Sequence, residues 1–508
     1  MKAVKIALMT CLIVSLAACI TIGPEFNKPK AELTDNWIQI NENELATSQG
    51  DKQLKPSAMQ ESKWWQAFND PILNQLVETA WQQNYPLEIT GLRILEAQAQ
   101  LGIATGNRYP QTQVVQGEAT RISPSNGSNN FSNYSLGAAA SWEIDFWGRF
   151  DLAIQSADAA YMASIAERDQ ALVLLSAQVV DTYTVIRITE EQVRIARENE
   201  AIQQRSYDIA DVLYRNGSDS ELDVQQALTL LLSTKASIPG FSISLSRAKN
   251  ALSILLGKPP GTVEKIIANN QAIPTLPESV KIGIPADLLR RRPDVRQAEL
   301  IAMAQNALVG FSKTDLYPRF SLIGSIGLSS NSSFGDLFQN DALSYSFGPS
   351  FVWPFLNYDR IINNVRVQDA RLQQALINYQ QTVIQAAREA EDAMATLVGS
   401  RQQVVLFKQT VASAQRSNEL ATLQYKEGLA DYQRVLDSQQ GLSAQQQNLV
   451  NTQGSYARSL IALYKALGGG WEDQTGLDII SEKSIEKMRE RTNWGDTLTP
   501  ANTAAPSK

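Results

Sequence analysis

Few side chains in this sequence of 508 residues could do covalent chemistry, and their types decide which chemistry is open. Histidine is absent, which removes Ser-His-Asp and Cys-His catalysis, imidazole-ligated metals and an imidazole pH switch. Cys11 and Cys19 are the only thiols, so the chain beyond them can form neither an internal disulfide nor a thiolate metal site. No G-x-x-x-x-G-K-[ST] run offers a phosphate cradle, so the chain does not spend ATP itself. Carboxylates are plentiful, 52 against 45 basic side chains for a net charge of −7, but no pair stands out at a spacing that catalysis requires. Without a dense basic stripe, nucleic acid is excluded as a partner. The 7 methionines form no cluster that would hold a soft metal. What remains is a non-enzyme with one reactive group, the Cys19 thiol.

That thiol closes a signal-peptide pattern. Lys2 and Lys5 precede an apolar run from Ile6 to Ala18, and the run ends in Leu16-Ala17-Ala18-Cys19. The ending resembles the lipobox of bacterial lipoproteins, which implies cleavage before Cys19 and lipid on its sulfur and its amine (diacylglycerol and palmitate). Several acyl chains at about 0.8 kcal/mol per buried CH₂ make a stable anchor. Ile20 follows the cysteine, where an aspartate would favour inner-membrane retention, so the anchor points to the outer membrane. Covalent lipid apart, no cofactor is expected. Beyond the leader there is no run of some 18 unbroken apolar residues, so a bilayer could be crossed only by strands.

An internal repeat organises the rest. Displaced by 211 positions, residues 142–257 lie on their own continuation without gaps: Trp142 on Trp353, Arg149 on Arg360, Gln204-Arg205-Ser206 on Gln415-Arg416-Ser417, Tyr214 on Tyr425, Gly217 on Gly428 and Gly257 on Gly468. Two copies are too few for a solenoid, so the unit is a duplicated one that pairs with itself. Each copy reads as a helix, two strands, a very long helix, a short turn and a second long helix.

The strands alternate sharply. Leu343, Tyr345, Phe347, Pro349, Phe351, Trp353 and Phe355 interleave with Ser344, Ser346, Gly348 and Ser350. Tyr134 to Phe146 and Phe320 to Ser329 repeat the pattern, and Gln111 to Ser123 is a weaker fourth strand. Segments of about ten residues with one apolar and one small polar face are the signature of a transmembrane barrel. Four strands cannot close one, because about eight is the practical minimum. An open sheet in lipid leaves edge groups unsatisfied, so oligomerisation is required. Asp151 to Arg215 and Ile361 to Lys426 should each run roughly 100 Å as helix. Leu372, Leu376, Tyr379, Val383, Ala387, Ala390, Met394 and Leu397 form a coiled-coil seam narrowed by alanine. Gly217 and Gly428 should end these helices as left-handed caps, and Pro239 should kink the first return helix.

These residues together resemble the outer-membrane efflux channel family (TolC-like), in its lipoprotein branch serving drug and metal pumps. The matching stretches are Cys19 with Gly23-Pro24-Glu25-Phe26, Trp64-Trp65-Gln66-Ala67-Phe68-Asn69-Asp70-Pro71, Asp145-Phe146-Trp147-Gly148, Leu289-Arg290-Arg291-Arg292-Pro293-Asp294, and Tyr425 with Gly428. The resemblance implies an α+β membrane protein. Its homotrimer would build a twelve-stranded barrel, four strands per chain, on a periplasmic helical tunnel. A periplasmic adaptor and a proton-driven inner-membrane pump are the implied partners, with outer-membrane lipid around the barrel. It also implies a gate at the helix turns, in which Asp437 matches the inner aspartate, Tyr425 the network tyrosine and Asp223 its acidic partner. Two positions depart: Arg434 stands where some relatives carry a second aspartate, within reach of Asp223 or Asp437, and Ala430 replaces a network arginine.

The organisation expected is therefore a signal peptide (1–18), anchor and strap (19–63), first repeat (64–260), linker (261–284), second repeat (285–471) and polar tail (472–508). In the tail a short helix near Ile479 to Arg491 precedes a disordered end. Pro293 should open a helix after a polar arginine loop. The function expected is a passive, outer-membrane exit duct for small molecules, with multidrug efflux favoured. Its rivals are a periplasmic lipoprotein scaffold that forms no channel, and a conduit for exported polypeptides.

Overall fold

The structure, a computed structural model, describes residues 22–30, 37, 54–56, 63–123, 131–267, 273–274, 280–282, 291–339, 341–471 and 480–498. The signal peptide, Cys19, most of the strap, Arg290 and the proline-bearing end of the tail lie outside them. Two compact units emerge, each drawing on both sequence repeats: Met1–Lys30, Arg93–Ala166 and Arg296–Gln381 in the first, and Ala31–Leu92, Glu167–Val295 and Thr382–Lys508 in the second.

The first unit holds four strands, β2 (Thr112–Ile122), β3 (Phe131–Ile144), β5 (Arg319–Ser330) and β6 (Leu343–Val352), hydrogen-bonded all antiparallel in the order β2-β3-β5-β6. Register fixes the faces. Trp142 lies opposite Leu322, which lies opposite Pro349, and Ala138 lies opposite both Val115 and Ile326. From Tyr134 to Ile144 on β3 and from Leu343 to Phe351 on β6, the large apolar side chains therefore fall on one face, since side chains alternate with period two. The other face carries Ser135, Gly137, Ser325, Gly327, Ser344 and Ser346, and Ser325 Oγ lies 2.9 Å from Ser346 Oγ. β2 and β6 are left as open edges.

Each sheet corner is tied by an indole. Trp142 Nε1 donates to the Arg108 carbonyl (3.2 Å) and Trp353 Nε1 to the Leu316 carbonyl (3.0 Å). Asp145 accepts from the backbone N–H groups of Phe150 and Asp151, satisfying donors that a helix start leaves orphaned. This accounts for the Asp145-Phe146-Trp147-Gly148 stretch as a strand-to-helix corner. Part of the strap docks here too. Ile22 N–H donates to the Trp147 carbonyl at 3.2 Å, Asn306 donates to the Pro24 carbonyl at 2.8 Å, and Lys28 pairs with Glu299 at 2.5 Å.

The long helices keep the offset of the repeat. α3 (Arg149–Arg215) and α7 (Arg360–Lys426) have 67 residues each, and α4 (Glu221–Leu255) and α8 (Tyr432–Ala466) have 35 each. α4 continues through Pro239. On α7, Tyr379, Val383, Ala386, Ala390, Met394 and Leu397 are buried at steps of three and four, so the seam passes through Ala386 rather than Ala387. Stretches of α3 and α4 are long and apolar enough to cross a membrane by length and composition alone; that of α3 is mostly buried, that of α4 mostly exposed.

In the second unit, the Trp64-Trp65 motif packs an aromatic core, with Trp64 stacked on Tyr464 (5.0 Å) and Trp65 edge-on to Trp81 (5.0 Å). Asp70 caps α1 (Pro71–Gln83) through the N–H groups of Ile72 and Leu73, and accepts the Tyr183 hydroxyl. Arg187 donates to Tyr183 Oη (3.0 Å) and pairs with Glu190 (2.8 Å). Helix ends repeat the symmetry. Asn84, ahead of α2 (Tyr85–Gly106), donates to the last carbonyl of α4, Leu255, at 2.9 Å. Arg292, ahead of α6 (Pro293–Thr314), donates to the last carbonyl of α8, Ala466, at 2.7 Å. Arg292 is also held by Asp294 (2.7 Å) and Glu389 (2.9 Å). The arginine loop is thus a helix clamp, and Pro293 opens its helix as expected.

Three short elements complete the fold. β1 (Leu54–Pro56) and β4 (Val280–Ile282) pair in parallel, and α5 (Glu264–Ile267) is one turn. In the tail, α9 (Glu482–Arg491) is docked rather than loose. The Ser481 N–H and hydroxyl and the Ser484 hydroxyl all donate to Glu88 Oε1, while Ile480, Ile485 and Leu498 are buried.

Candidate functional site

The second unit carries two helix-to-helix turns, α3 into α4 and α7 into α8. Both close by the same device. Gly217 (φ +74°) and Gly428 (φ +70°) adopt the left-handed conformation a non-glycine residue resists, as expected for caps. Gly217 N–H donates to the Tyr214 carbonyl and Ser218 N–H to the Leu213 carbonyl; Gly428 and Leu429 repeat this to Tyr425 and Gln424. That double bond pattern is a Schellman motif, which satisfies the last carbonyls and reverses the chain tightly.

Beneath the turns lies an apolar plug of Ala210, Val224, Ala227, Tyr425, Tyr432, Val435 and Leu436. Tyr425 packs edge-on to Tyr432 (5.3 Å) and donates its hydroxyl to Asp219 Oδ2. The acidic partner expected at Asp223 is therefore Asp219. The reason is local. Ser220 is the N-cap of α4 and Asp223 its third helical residue; Asp223 accepts the Ser220 hydroxyl at 2.8 Å, and its own N–H bonds Ser220 Oγ. Asp223 is thus engaged in its own cap, and Asp219, outside the helix, is free to face Tyr425.

The two carboxylates are adjacent and titrate apart. Burial and the hydrogen bond with Asp219 push Asp223 above the usual carboxylate range. Burial alone would raise Asp219 as well, but hydrogen bonds with Asp223, Tyr425 and the Ser220 N–H hold it below that range. One proton shared by two close acids gives this split. Burial and the facing Asp219 charge raise the Tyr425 phenol, which stays protonated as a donor; burial next to Asp223 raises Tyr432 to about 12.

The network is one-sided. The repeat places Ala430 where Asp219 stands and Arg434 where Asp223 stands, so Tyr214 has no acid to match that of Tyr425. Arg434 is exposed and, among the described residues, pairs with neither Asp223 nor Asp437. Asp437 is exposed and accepts from Gln433 Nε2 at 2.8 Å. Asp437 and Arg434 therefore lie on α8 outside the Tyr425 cluster, presented to solvent in the single chain. Asp219 was missed in the sequence, although Ser220-x-x-Asp223 is a capping box that could have redirected attention to it. Among the described residues no group of His, Cys, Asp or Glu could hold a metal ion.

Beside the plug, Leu222, Gln225, Thr229, Leu230, Leu436 and Gln440 line an open groove between α4 and α8. An apolar floor flanked by amides suits a partner helix rather than a small reactant.

Comparison with known proteins agrees with this architecture. The family model described as outer membrane efflux protein matches residues 76–258 and 284–469. The cation efflux system protein CusC of Escherichia coli O6:H1 is 29% identical over 469 residues, spanning 91% of this chain and 98% of that one. The solvent efflux pump outer membrane protein SrpC of Pseudomonas putida is 29% identical over 462 residues, 90% of this chain and 96% of its own. Among solved structures, the outer-membrane channel OprN superposes with a TM-score of 0.81 at 28% identity, covering 89% of this chain and 99% of its own. The family is one of transport channels, not of enzymes, and its place is the outer membrane of Gram-negative bacteria. With the match running through both repeats, the chain belongs to the outer membrane efflux protein family.

Proposed function

We propose that three copies of this chain form a twelve-stranded outer-membrane barrel continuous with a periplasmic helical tunnel, the passive exit duct of a tripartite efflux pump. The observation that carries it is the four-stranded sheet of the first unit. It has one large apolar face, one serine–glycine face and two unpaired edges, a shape that is satisfied in lipid only when closed by further copies. The serine–glycine face then lines the lumen and offers solutes little to bind. Energy comes from a proton-driven inner-membrane partner, because nothing in this sequence can supply it. A periplasmic adaptor would lay helices into the groove between α4 and α8. The domain limits follow the repeat boundaries given above.

The helix turns form the periplasmic gate. Tyr425, Asp219 and Asp223 hold each pair of hairpins together within a chain. Asp437 would form a ring of three carboxylates that holds cations and repels anions, with Arg434 on the same exposed surface. Lipid on Cys19 would tether the strap, of which Ile22 is bonded at the Trp147 corner.

The names of the relatives differ in cargo, cations for CusC and solvents for SrpC. For this chain we favour amphipathic drugs and dyes. Growth inhibition by dyes, detergents, antibiotics and metal salts, in cells with and without the chain, tests this. Sensitisation to drugs and dyes, reversed by the intact gene, supports it; sensitisation to metal salts alone overturns the cargo, and none at all overturns the assignment to drug efflux.

A further inference from the structure

The chain contains its own template for the contact between copies. Where the first repeat meets the second, Trp147 is half-buried. Its ring lies 4.9 Å from that of Tyr317, and its Nε1 donates to the Pro318 carbonyl at 2.8 Å. Arg149 of the same corner pairs with Asp315 and lies over the Phe311 ring at 4.4 Å. At the other end of the chain the repeat supplies the same two halves, separated. Tyr358 and Arg360 are the counterparts of Trp147 and Arg149. Asn107, Tyr109 and Pro110 are the counterparts of Asp315, Tyr317 and Pro318, as the equivalent indole bonds to Arg108 and Leu316 establish. In the single chain Tyr358 is 92% exposed and Tyr109 64% exposed.

Tyr358 is also held at φ +44° and Asp359 at φ +59°, where the first repeat has only Gly148 at φ +70°. Non-glycine residues in that region cost on the order of 1–3 kcal/mol each. The corner holds this strain while its aromatic ring, among the described residues, faces solvent.

We propose that Tyr358 seats on the Tyr109–Pro110 corner of a second copy, with β6 of one copy pairing antiparallel to β2 of the next in the register of the internal β3–β5 pair. The register follows from the observed pairs. Ala138 of β3 corresponds to Pro349 of β6, so their partners Val115 and Leu322 correspond as well. Transferring Trp142↔Leu322, Ala140↔Gly324 and Ala139↔Ser325 gives Trp353 opposite Val115, Phe351 opposite Gly117 and Ser350 opposite Glu118. Every aromatic residue of β6 then stays on the apolar face and Ser350 on the polar one, which a slip by one residue would reverse. Phe351 covers the bare backbone of Gly117. Arg360 meets neutral Asn107 instead of an aspartate, so this corner lacks the ion pair of the internal one and relies on the tyrosine seat. The inference rests on the oligomeric reading of function above, and adds to it which residues meet.

The test uses the full-length lipoprotein in outer-membrane preparations, where the rest of the chain offers no competing thiol. With Ser350→Cys and Glu118→Cys combined, oxidation should give copies cross-linked through disulfides, while Ser350→Cys with Gln116→Cys or with Thr120→Cys should not. Ser325→Cys with Ser346→Cys, opposite one another within the chain, reports that the sheet has formed. Tyr358→Ala should lower the temperature at which the oligomer dissociates, and Tyr358→Trp should not. Cross-linking in a shifted pair overturns the register, as does no cross-linking while glutaraldehyde still traps oligomers. If glutaraldehyde traps none, the oligomeric reading falls, and this inference with it. A Tyr358→Ala oligomer of unchanged stability overturns the seat.

Discussion

Removing one hydroxyl at the helix turns discriminates between the observed tip and the one expected from sequence. Tyr425→Phe keeps the ring against Tyr432 and deletes only the donor to Asp219. A hydrogen bond to a charged group contributes about 1.5–3 kcal/mol; because Asp219 is half-exposed, about 1–2 kcal/mol is appropriate here. At 1.4 kcal/mol per decade, each chain shifts the open–closed balance by about five- to thirtyfold. Three tips opening together would multiply these factors. Asp219→Asn keeps an acceptor but loses the charge that strengthens the bond, so it should act in the same direction more weakly, and the double variant should add little to Tyr425→Phe. Asp223→Asn should leave the closed state intact, because that residue stands outside the Tyr425 hydrogen bond and its amide keeps an acceptor for the Ser220 hydroxyl. Planar-bilayer recordings read this as open probability. In the same bilayers Asp437→Ala should raise conductance if that carboxylate belongs to the gate. An Asp223→Asn channel that opens as Tyr425→Phe does, beside a silent Asp219→Asn, would refute the reasoning.

Three further outcomes follow from the same contacts. Cys19→Ser should abolish labelling by radioactive palmitate and leave the sheet folded; persistent labelling would place the anchor elsewhere. Arg292→Ala leaves the Ala466 carbonyl and the partly exposed Asp294 and Glu389 without their shared donor, and should cost about 1–3 kcal/mol of stability in thermal or denaturant unfolding. For pH, the raised Asp223 adds stability to the tip when protonated, and this is lost as pH rises through its folded pKa. The lowered Asp219 adds stability when ionised, and this is lost as pH falls through its own. The closed tip should therefore be most stable between those two values, around the ordinary aspartate range. A monotonic rise in open probability across that window would contradict the shared proton.

The fold was legible wherever a period or a register carried it. Alternation in Leu343 to Phe355 located β6, and the offset between Arg149 and Arg360 located both long helices, because backbone geometry enforces those spacings over many residues. Arg292 read as a plain polar loop because its partners, Glu389 and the Ala466 carbonyl, are far away in sequence. Asp219 was hidden for a different reason. Asp223 has the better helical position, and only the competition between its own cap and Tyr425 decides which carboxylate faces inward. The seam shift from Ala387 to Ala386 shows the limit of a heptad reading, in which neighbouring alanines are interchangeable until the packing partner is known. The docked tail was concealed as well, since a single half-buried acceptor, Glu88, holds Ser481 and Ser484.

The central claim is that this chain alone builds a water-filled pore. Conductance of the purified full-length protein in a planar bilayer, without pump, adaptor or nucleotide, tests it most directly. Wild-type protein should give small, discrete steps, and the Tyr425→Phe protein larger ones, with both channels favouring cations. Folded, membrane-inserted oligomers of the Tyr425→Phe protein that pass no current would contradict it.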